Sequence, residues 1–220
     1  MIVTGRRQNL LDDITQARPG IVGLALDVTD DAGLNALTET LRSRFALLNV
    51  VIANAGISRP EKIADADWDA SSAHAMVDTN IMGVLRIAAA TLPLLSLQPS
   101  PTFMATSSAL AAVPMAAFPT YCATKAFLHS WLQSLRYQMR HLPLEVLELS
   151  PPYVQTTLTG AAQAVDPRAM SLAEYTAHVL DMLERCDHPN GEILLLSDLP
   201  RRWAERDGTY DKIFSMMNPT

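Results

Sequence analysis

The chain is poor in thiols: Cys122 and Cys186 are its only cysteines. Two cysteines without histidines at ligand spacing exclude a disulfide framework, and reduced thiols in a cytoplasmic protein are the expectation. His74, His129, His141, His178 and His188 are scattered and form no metal spacing, so no metal is expected and each reads as surface or helix packing. Basic charge is also short. A formal net charge of −6 leaves too little cationic surface for nucleic acid or an anionic membrane, and neither is an expected partner. Arg6 and Arg7 lead into Asp12 and Asp13 rather than an apolar run, so no secretory signal is read there. No repeat, linker or low-complexity tract interrupts the sequence.

One long stretch lacks charge altogether. From Ile87 to Thr124 there is no Asp, Glu, Lys or Arg, the composition of a possible membrane span. Pro93, Pro99, Pro101, Pro114 and Pro119 divide it, so ~20 continuous apolar helical residues are not available. It reads as the buried centre of a folded domain. At 220 residues and 49% hydrophobic content, the chain can bury one substantial core.

What is present is an alternation of strands and helices. Strands are expected at Ile2–Thr4, Ile21–Leu26, Val50–Ala53, Thr102–Ser107, Leu144–Leu149 and Glu192–Leu196, several of them continuously apolar as buried parallel strands are. Helices are expected at Gln8–Ala17, Asp30–Phe45 (capped by Thr29 or Asp30), Ala75–Leu95, Tyr121–His141, Leu172–Arg185 and Arg201–Met216, with a helical turn or two at Trp68–Ser72. The Leu144–Leu149 strand is mostly apolar yet carries Glu145 and Glu148. Strands alternating with helices imply a single α/β domain, residues 1–220, with a parallel sheet and right-handed crossovers.

The chemistry is concentrated in Thr120-Tyr121-Cys122-Ala123-Thr124-Lys125, with Ser107-Ser108 upstream. A Tyr and a Lys four apart on a helix share a face, one turn apart. An ammonium beside a phenol favours the phenolate and lowers its pKa, which suits the phenol to pass a proton to or from a substrate oxygen. A serine hydroxyl reaching the same spot could hold that oxygen. Cys122 points about 100° away around the helix and is not expected to act.

Tyr-x-x-x-Lys alone is common, but four further segments stand in order around it. They are Leu26-Asp27-Val28, Ile52-Ala53-Asn54-Ala55-Gly56, Thr79-Asn80-Ile81-Met82-Gly83 and Ala105-Thr106-Ser107-Ser108. Together with Ser150-Pro151-Pro152-Tyr153-Val154-Gln155-Thr156 they resemble the motifs of the short-chain dehydrogenase/reductase family, from Ile2 to about Leu196. The Pro-Pro-Tyr-Val-Gln-Thr variant and the tail Tyr210-Asp211-Lys212-Ile213-Phe214 are similar to a DltE-like subgroup. The resemblance implies a Rossmann-like doubly wound parallel sheet. It also implies hydride transfer between a nicotinamide cofactor and a small carbonyl or alcohol substrate, and a homodimer or tetramer formed through helices 75–95 and 120–141. On this reading Tyr121 is the general acid or base, and Lys125 tunes it and holds the nicotinamide ribose. Ser108 orients the substrate oxygen, since twelve residues separate it from Tyr121, with Ser107 supporting it from behind. Asn80 anchors a water leading to the lysine, and Gly83 permits a close approach. Val28, Asn54, Ala55, Gly56, Pro151 and Thr156 line the cofactor, and Asp27 meets the adenine edge or caps the next helix.

One departure from the family is large. Its members open with a strand and a Thr-Gly-x-x-x-Gly-x-Gly loop that cradles the pyrophosphate on a helix N-terminus. This chain has no such loop, and Met1 to Arg7 resemble the second strand and its turn. The expectation is an N-terminally truncated sheet lacking the first strand and helix, roughly 30 residues by the size of such a unit, through a late start or a shortened copy. Two exposed strand edges should follow. The remaining first turn, Thr4-Gly5-Arg6-Arg7, has no acid to bind a ribose 2′-hydroxyl, while Arg6 suits a 2′-phosphate, so NADP is expected over NAD. A second reading is a non-catalytic remnant acting only through its dimer or partner contacts. Leu158–Met170 is the expected lid, and nothing in it names a substrate.

Overall fold

The computed structural model describes residues 1–219. Helices alternate with six strands, all of them parallel to their partners. β1 (Ile2–Gly5) pairs with β2 (Val22–Ala25), Ile2 opposite Val22. β3 (Val50–Ala53), β4 (Thr102–Thr106), β5 (Glu145–Ser150) and β6 (Glu192–Leu194) form a second sheet in that order. Among the described residues no ladder joins β1 to β3. The free edge of β3 leaves Val50 46% and Ile52 55% exposed, unusual for apolar residues in the middle of an α/β domain.

The two sheets are bridged by helices. Leu34, Leu37 and Leu41 of α2 (Asp31–Arg44) pack with Leu26 and with Leu94 of α4 (Gly83–Leu95). Asp30 caps α2 by accepting the Ala32 N–H at 3.0 Å, the role left open between Thr29 and Asp30. On one face of the larger sheet, Leu128, Leu132 and Leu135 of α5 (Pro119–Met139) meet Phe103, Ala105 and Val146, with Val84 and Ala88 of α4 closing the cluster. On the other face, Met104, Leu147 and Ile193 pack against Val179 and Met182 of α6 (Leu172–Glu184). α1 (Gln8–Ala17) covers β1 and β2.

Three expected elements differ in detail. The helix expected from Ala75 begins at Ser71 as α3 (Ser71–Val77), and a π-helical turn, Asp78–Met82, carries it into α4. Asp69 accepts the Ser71 N–H at 2.8 Å, so the chain around Trp68 is a turn that precedes the helix. The terminal helix expected at Arg201–Met216 is two helices, α7 (Leu199–Arg202) and α8 (Tyr210–Met217). Between them Arg202 and Arg206 lie over the Trp203 ring at 4.3 and 4.4 Å, and Gly208 turns the chain at φ +65. A positive φ is open to glycine and costly to most residues, so the turn that leads into α8 falls there. By length and apolarity alone, Ser71–Leu95 is a candidate membrane span. Its Arg86 pairs with Asp78 and Asp31, and Val84, Ala88 and Leu95 are buried against the sheet, which is core-helix packing.

Gly83 shows why the helix must be bare at that point. A Cβ there would stand 2.7 Å from Val28 Cγ2. Gly83→Ala is therefore expected to lower stability by about 1–3 kcal/mol through overpacking, read as a reduced denaturant midpoint at unchanged slope.

Candidate active site

The site is built at the carboxyl ends of the parallel strands, where open α/β sheets place their ligands. Arg6 follows β1, Asp27 follows β2, Asn54 follows β3, Ser107 and Ser108 follow β4, and Pro151 follows β5. α5 starts with Pro119 in its first turn, a position where the missing N–H costs nothing. The buried Glu61 accepts the Thr120 N–H at 3.0 Å and fixes the helix start just before Tyr121.

Tyr121, Lys125 and Ser108 are buried together, at 7%, 4% and 7% exposure. Lys125 Nζ lies 5.6 Å from the Tyr121 ring centroid and donates to the Thr106 carbonyl at 2.7 Å. The expected acidification of the phenol is corrected by the structure. Burial pushes Tyr121 up to about 12, with hydrogen bonding from Ser108 pulling it back. Burial likewise drives Lys125 down to about 8, opposed by the charge of Glu148. Periodicity placed the two groups on one face, but the cost of burying either charge outweighs their attraction. The Cys122 thiol is also buried, pushed up by desolvation, and faces the Met115 backbone.

Asn80 is fully buried in the π-helical turn. Its Oδ1 accepts the Ile57 N–H at 2.8 Å, and its Nδ2 donates to the Ile57 carbonyl at 2.9 Å and to Thr124 Oγ1 at 3.0 Å. It thus ties the loop after β3 to the helix carrying Lys125. A Cβ on Gly56 would lie 3.4 Å from Asn80 Oδ1 and 3.6 Å from Lys125 Nζ, so the glycine keeps the space above the lysine open. Asn54 and Ala55 are exposed on the same loop, and Asn54 Oδ1 accepts the Thr106 hydroxyl at 2.9 Å.

The first turn sits apart from this cluster. Arg6 is exposed and lies 3.8 Å from Asp27. Asp27 accepts both the N–H and the hydroxyl of Thr29, which holds its carboxyl below the usual range, and it does not cap α2. Val28 packs under Gly83. At the other end, Pro151 accepts the Ala109 N–H at 3.0 Å. Thr156 Oγ1 is held by Gln163, whose side chain also spans Val154 and Thr159. Gln163 therefore fastens the expected lid across its middle.

Several of these residues escape a sequence reading. His129, expected as packing, has Nδ1 2.8 Å from Glu148, and Ser107 donates to the other Glu148 oxygen at 2.5 Å. The one sequence signal is an acid at an inward position of an apolar strand. His129, Glu148 and Glu192 bring ligand atoms within 4.8 Å of one another, a spacing a metal could use. Arg202, however, takes both Glu192 oxygens at 2.7 and 2.8 Å. A cavity of about 250 Å³ opens here, lined by Ser108, His129, Glu148, Glu192 and Arg201 among others. Asn218, just past α8, meets the Ala116 N–H and the Pro114 carbonyl and closes over the loop after Ser108.

The residues present fit two parts of a nicotinamide dinucleotide. Lys125, Asn54 and the bare backbone of Gly56 suit a ribose and ring, and Arg6 and Asp27 suit the adenosine end. No glycine-rich helix N-terminus for a pyrophosphate lies among the described residues.

The chain is similar to known proteins along most of its length. A family profile described as short chain dehydrogenase matches residues 1–166. The chain is 32% identical over 228 aligned positions to "Uncharacterized oxidoreductase DltE" of Bacillus subtilis, covering 99% of this chain and 86% of that one. Among solved structures, a short chain dehydrogenase from Burkholderia cenocepacia in complex with NADP superposes with a TM-score of 0.78 at 20% identity, covering 99% of this chain and 85% of that one. An alcohol dehydrogenase from the archaeon Thermococcus sibiricus, complexed with 5-hydroxy-NADP, gives 0.76 at 21% identity, covering 88% and 84%.

Proposed function

This chain belongs to the short-chain dehydrogenase/reductase family, and we propose that it moves hydride between NADPH and a carbonyl or alcohol substrate through Ser108, Tyr121, Lys125 and Asn80. The observation that carries the reading is the burial of Ser108, Tyr121 and Lys125 in one cluster at the strand ends. The nicotinamide supplies the hydride when bound, and the chain supplies position and proton control.

Residues that fit the cofactor are Lys125 and Asn54 at the nicotinamide ribose, Gly56 beneath it, and Arg6 with Asp27 at the adenosine. In the reduction Tyr121 donates its proton to the substrate oxygen as that oxygen gains charge. A phenol held up to about 12 remains protonated at neutral pH and is available as the acid. Ser108 donates to the same oxygen and fixes its direction. Lys125 offers a cation to the phenolate left behind, and Asn80 holds the loop and helix that frame that lysine. Losing one such oriented donor is worth about 10²-fold or more, so Ser108→Ala is expected to reduce kcat/KM by about that factor. Steady-state assays across a panel of carbonyl compounds with NADPH check both the substrate class and this loss.

The preference for NADPH rests on Arg6, whose guanidinium is exposed and only loosely paired at 3.8 Å, ready for a 2′-phosphate. Arg6→Ala is expected to narrow the ratio of kcat/KM for NADPH over NADH about 10-fold, by loss of one charge-assisted contact. A second copy is the expected partner, met through helices 75–95 and 120–141. Val77, Met82, Phe127 and Tyr137 are exposed on those helices, an apolar surface that a twofold contact would cover. Sedimentation of the chain against a Val77→Asp/Met82→Asp variant reads this directly.

A further inference from the structure

Three consecutive residues at the end of β4 each make a different link. The Thr106 carbonyl accepts from Lys125 at 2.7 Å, Ser107 Oγ donates to Glu148 Oε1 at 2.5 Å, and Ser108 Oγ accepts the Leu110 N–H at 3.1 Å. Glu148 is thus joined to the site through neighbouring peptide units. It is 2% exposed. Its second oxygen meets His129, which follows Lys125 by four residues and so lies on the same face of α5, one turn on. Gln133, a further turn along, meets the other His129 nitrogen at 2.6 Å.

A carboxylate buried this deeply is costly unless its oxygens are met. Here the partners come from β4 and α5, the two elements that carry Ser108, Tyr121 and Lys125. The other charges around Glu148 are already engaged. Glu192, its register neighbour on β6, is held by Arg202 through both oxygens. Asp198 pairs with Arg201 at 3.1 Å. Arg136 of α5 donates to the Val146 and Gly191 carbonyls, and Glu205 stands at the exposed rim of the cavity. Among the described residues Lys125 itself has only a neutral carbonyl as its hydrogen-bond acceptor. The metal-like trio is therefore spent on internal pairing; the Glu148 charge also acts on Arg136 and Arg202, but those two guanidiniums each have a second acceptor, which Lys125 lacks among the described residues.

We propose that Glu148 is a positioning residue of this site: through Ser107 it fixes the backbone carrying Ser108, and it supplies the anionic counterpart of the buried Lys125 ammonium. This deepens the oxidoreductase reading and rests on it for turnover, though not for the state of Lys125. Burial drives the ammonium toward neutrality and the charge of Glu148 opposes that. Removing the charge lets Lys125 lose its proton at a lower pH.

The chain has three lysines, Lys62, Lys125 and Lys212, so ¹³Cε-lysine labelling resolves Lys125, assigned by its disappearance in Lys125→Met. Glu148→Gln is expected to lower the Lys125 titration midpoint by about one pH unit, the scale of a single nearby buried charge. Ser107→Ala keeps the charge and is expected to leave the midpoint in place. In turnover, Glu148→Gln should move the alkaline limb of kcat/KM for reduction to lower pH. Ser107→Ala should lower kcat about 10-fold, as one buried hydrogen bond to a charge allows, without moving that limb. An unchanged Lys125 midpoint in Glu148→Gln overturns the proposal. If Glu148→Gln does not fold, Glu148→Leu with His129→Leu removes the charge and its partner together and gives the same NMR reading. Full turnover in Tyr121→Phe would instead remove the oxidoreductase reading, while the NMR midpoint still decides the role of Glu148.

Discussion

Tyr121→Phe is expected to lose at least about 10³-fold in kcat while binding NADPH with nearly unchanged affinity, because it removes the proton donor and little else. The ring remains, so its packing with Met76 and Cys122 is kept. Ser108 still accepts the Leu110 N–H at 3.1 Å. Folding should therefore survive, and thermal unfolding checks that it does. Kinetics and a fluorescence titration of NADPH on the same sample separate chemistry from binding. Turnover equal to wild type would take Tyr121 out of its assigned role. Lys125→Met should behave differently, weakening both cofactor binding and turnover, because that side chain faces the space kept open by Gly56.

The second large effect concerns the cofactor. Residues 1–220 by themselves are expected to bind NADPH weakly, since among the described residues no glycine-rich helix N-terminus meets the pyrophosphate and no ladder joins β1 to β3. Joining a strand, a glycine-rich loop and a helix ahead of Met1 should raise NADPH affinity by about 10²- to 10⁴-fold, the worth of two charge-assisted hydrogen bonds. Calorimetry on both proteins measures the difference. Micromolar affinity in the unextended chain would refute the expectation. The same addition should protect the backbone amides of β3 from hydrogen exchange, because Val50 and Ile52 now stand at a free edge. Turnover of the Tyr121 and Ser108 variants is best compared in this extended form if the chain alone is too slow to measure.

Asn80 offers a test of stability rather than chemistry. Asn80→Ala removes three buried hydrogen bonds and leaves the Ile57 N–H and carbonyl unmet. A loss of about 2–4 kcal/mol is expected from two such orphaned groups, measured by denaturant unfolding.

Local signals in the sequence determined most of the architecture. Apolar runs bounded by Pro, Gly and polar residues placed β3 and α1 to the residue, and the strand–helix alternation dictated parallel pairing. Four-residue spacing put Tyr121 and Lys125 on one face because helical geometry is set by the backbone alone. Tertiary structure decided what that face experiences. Burial, rather than the neighbouring ammonium, governs the phenol, because desolvation depends on everything packed around a group and no local window contains it. The pairing of Ser107 and His129 with Glu148 likewise spans three segments far apart in the chain. Nothing short of the folded sheet brings them within a hydrogen bond.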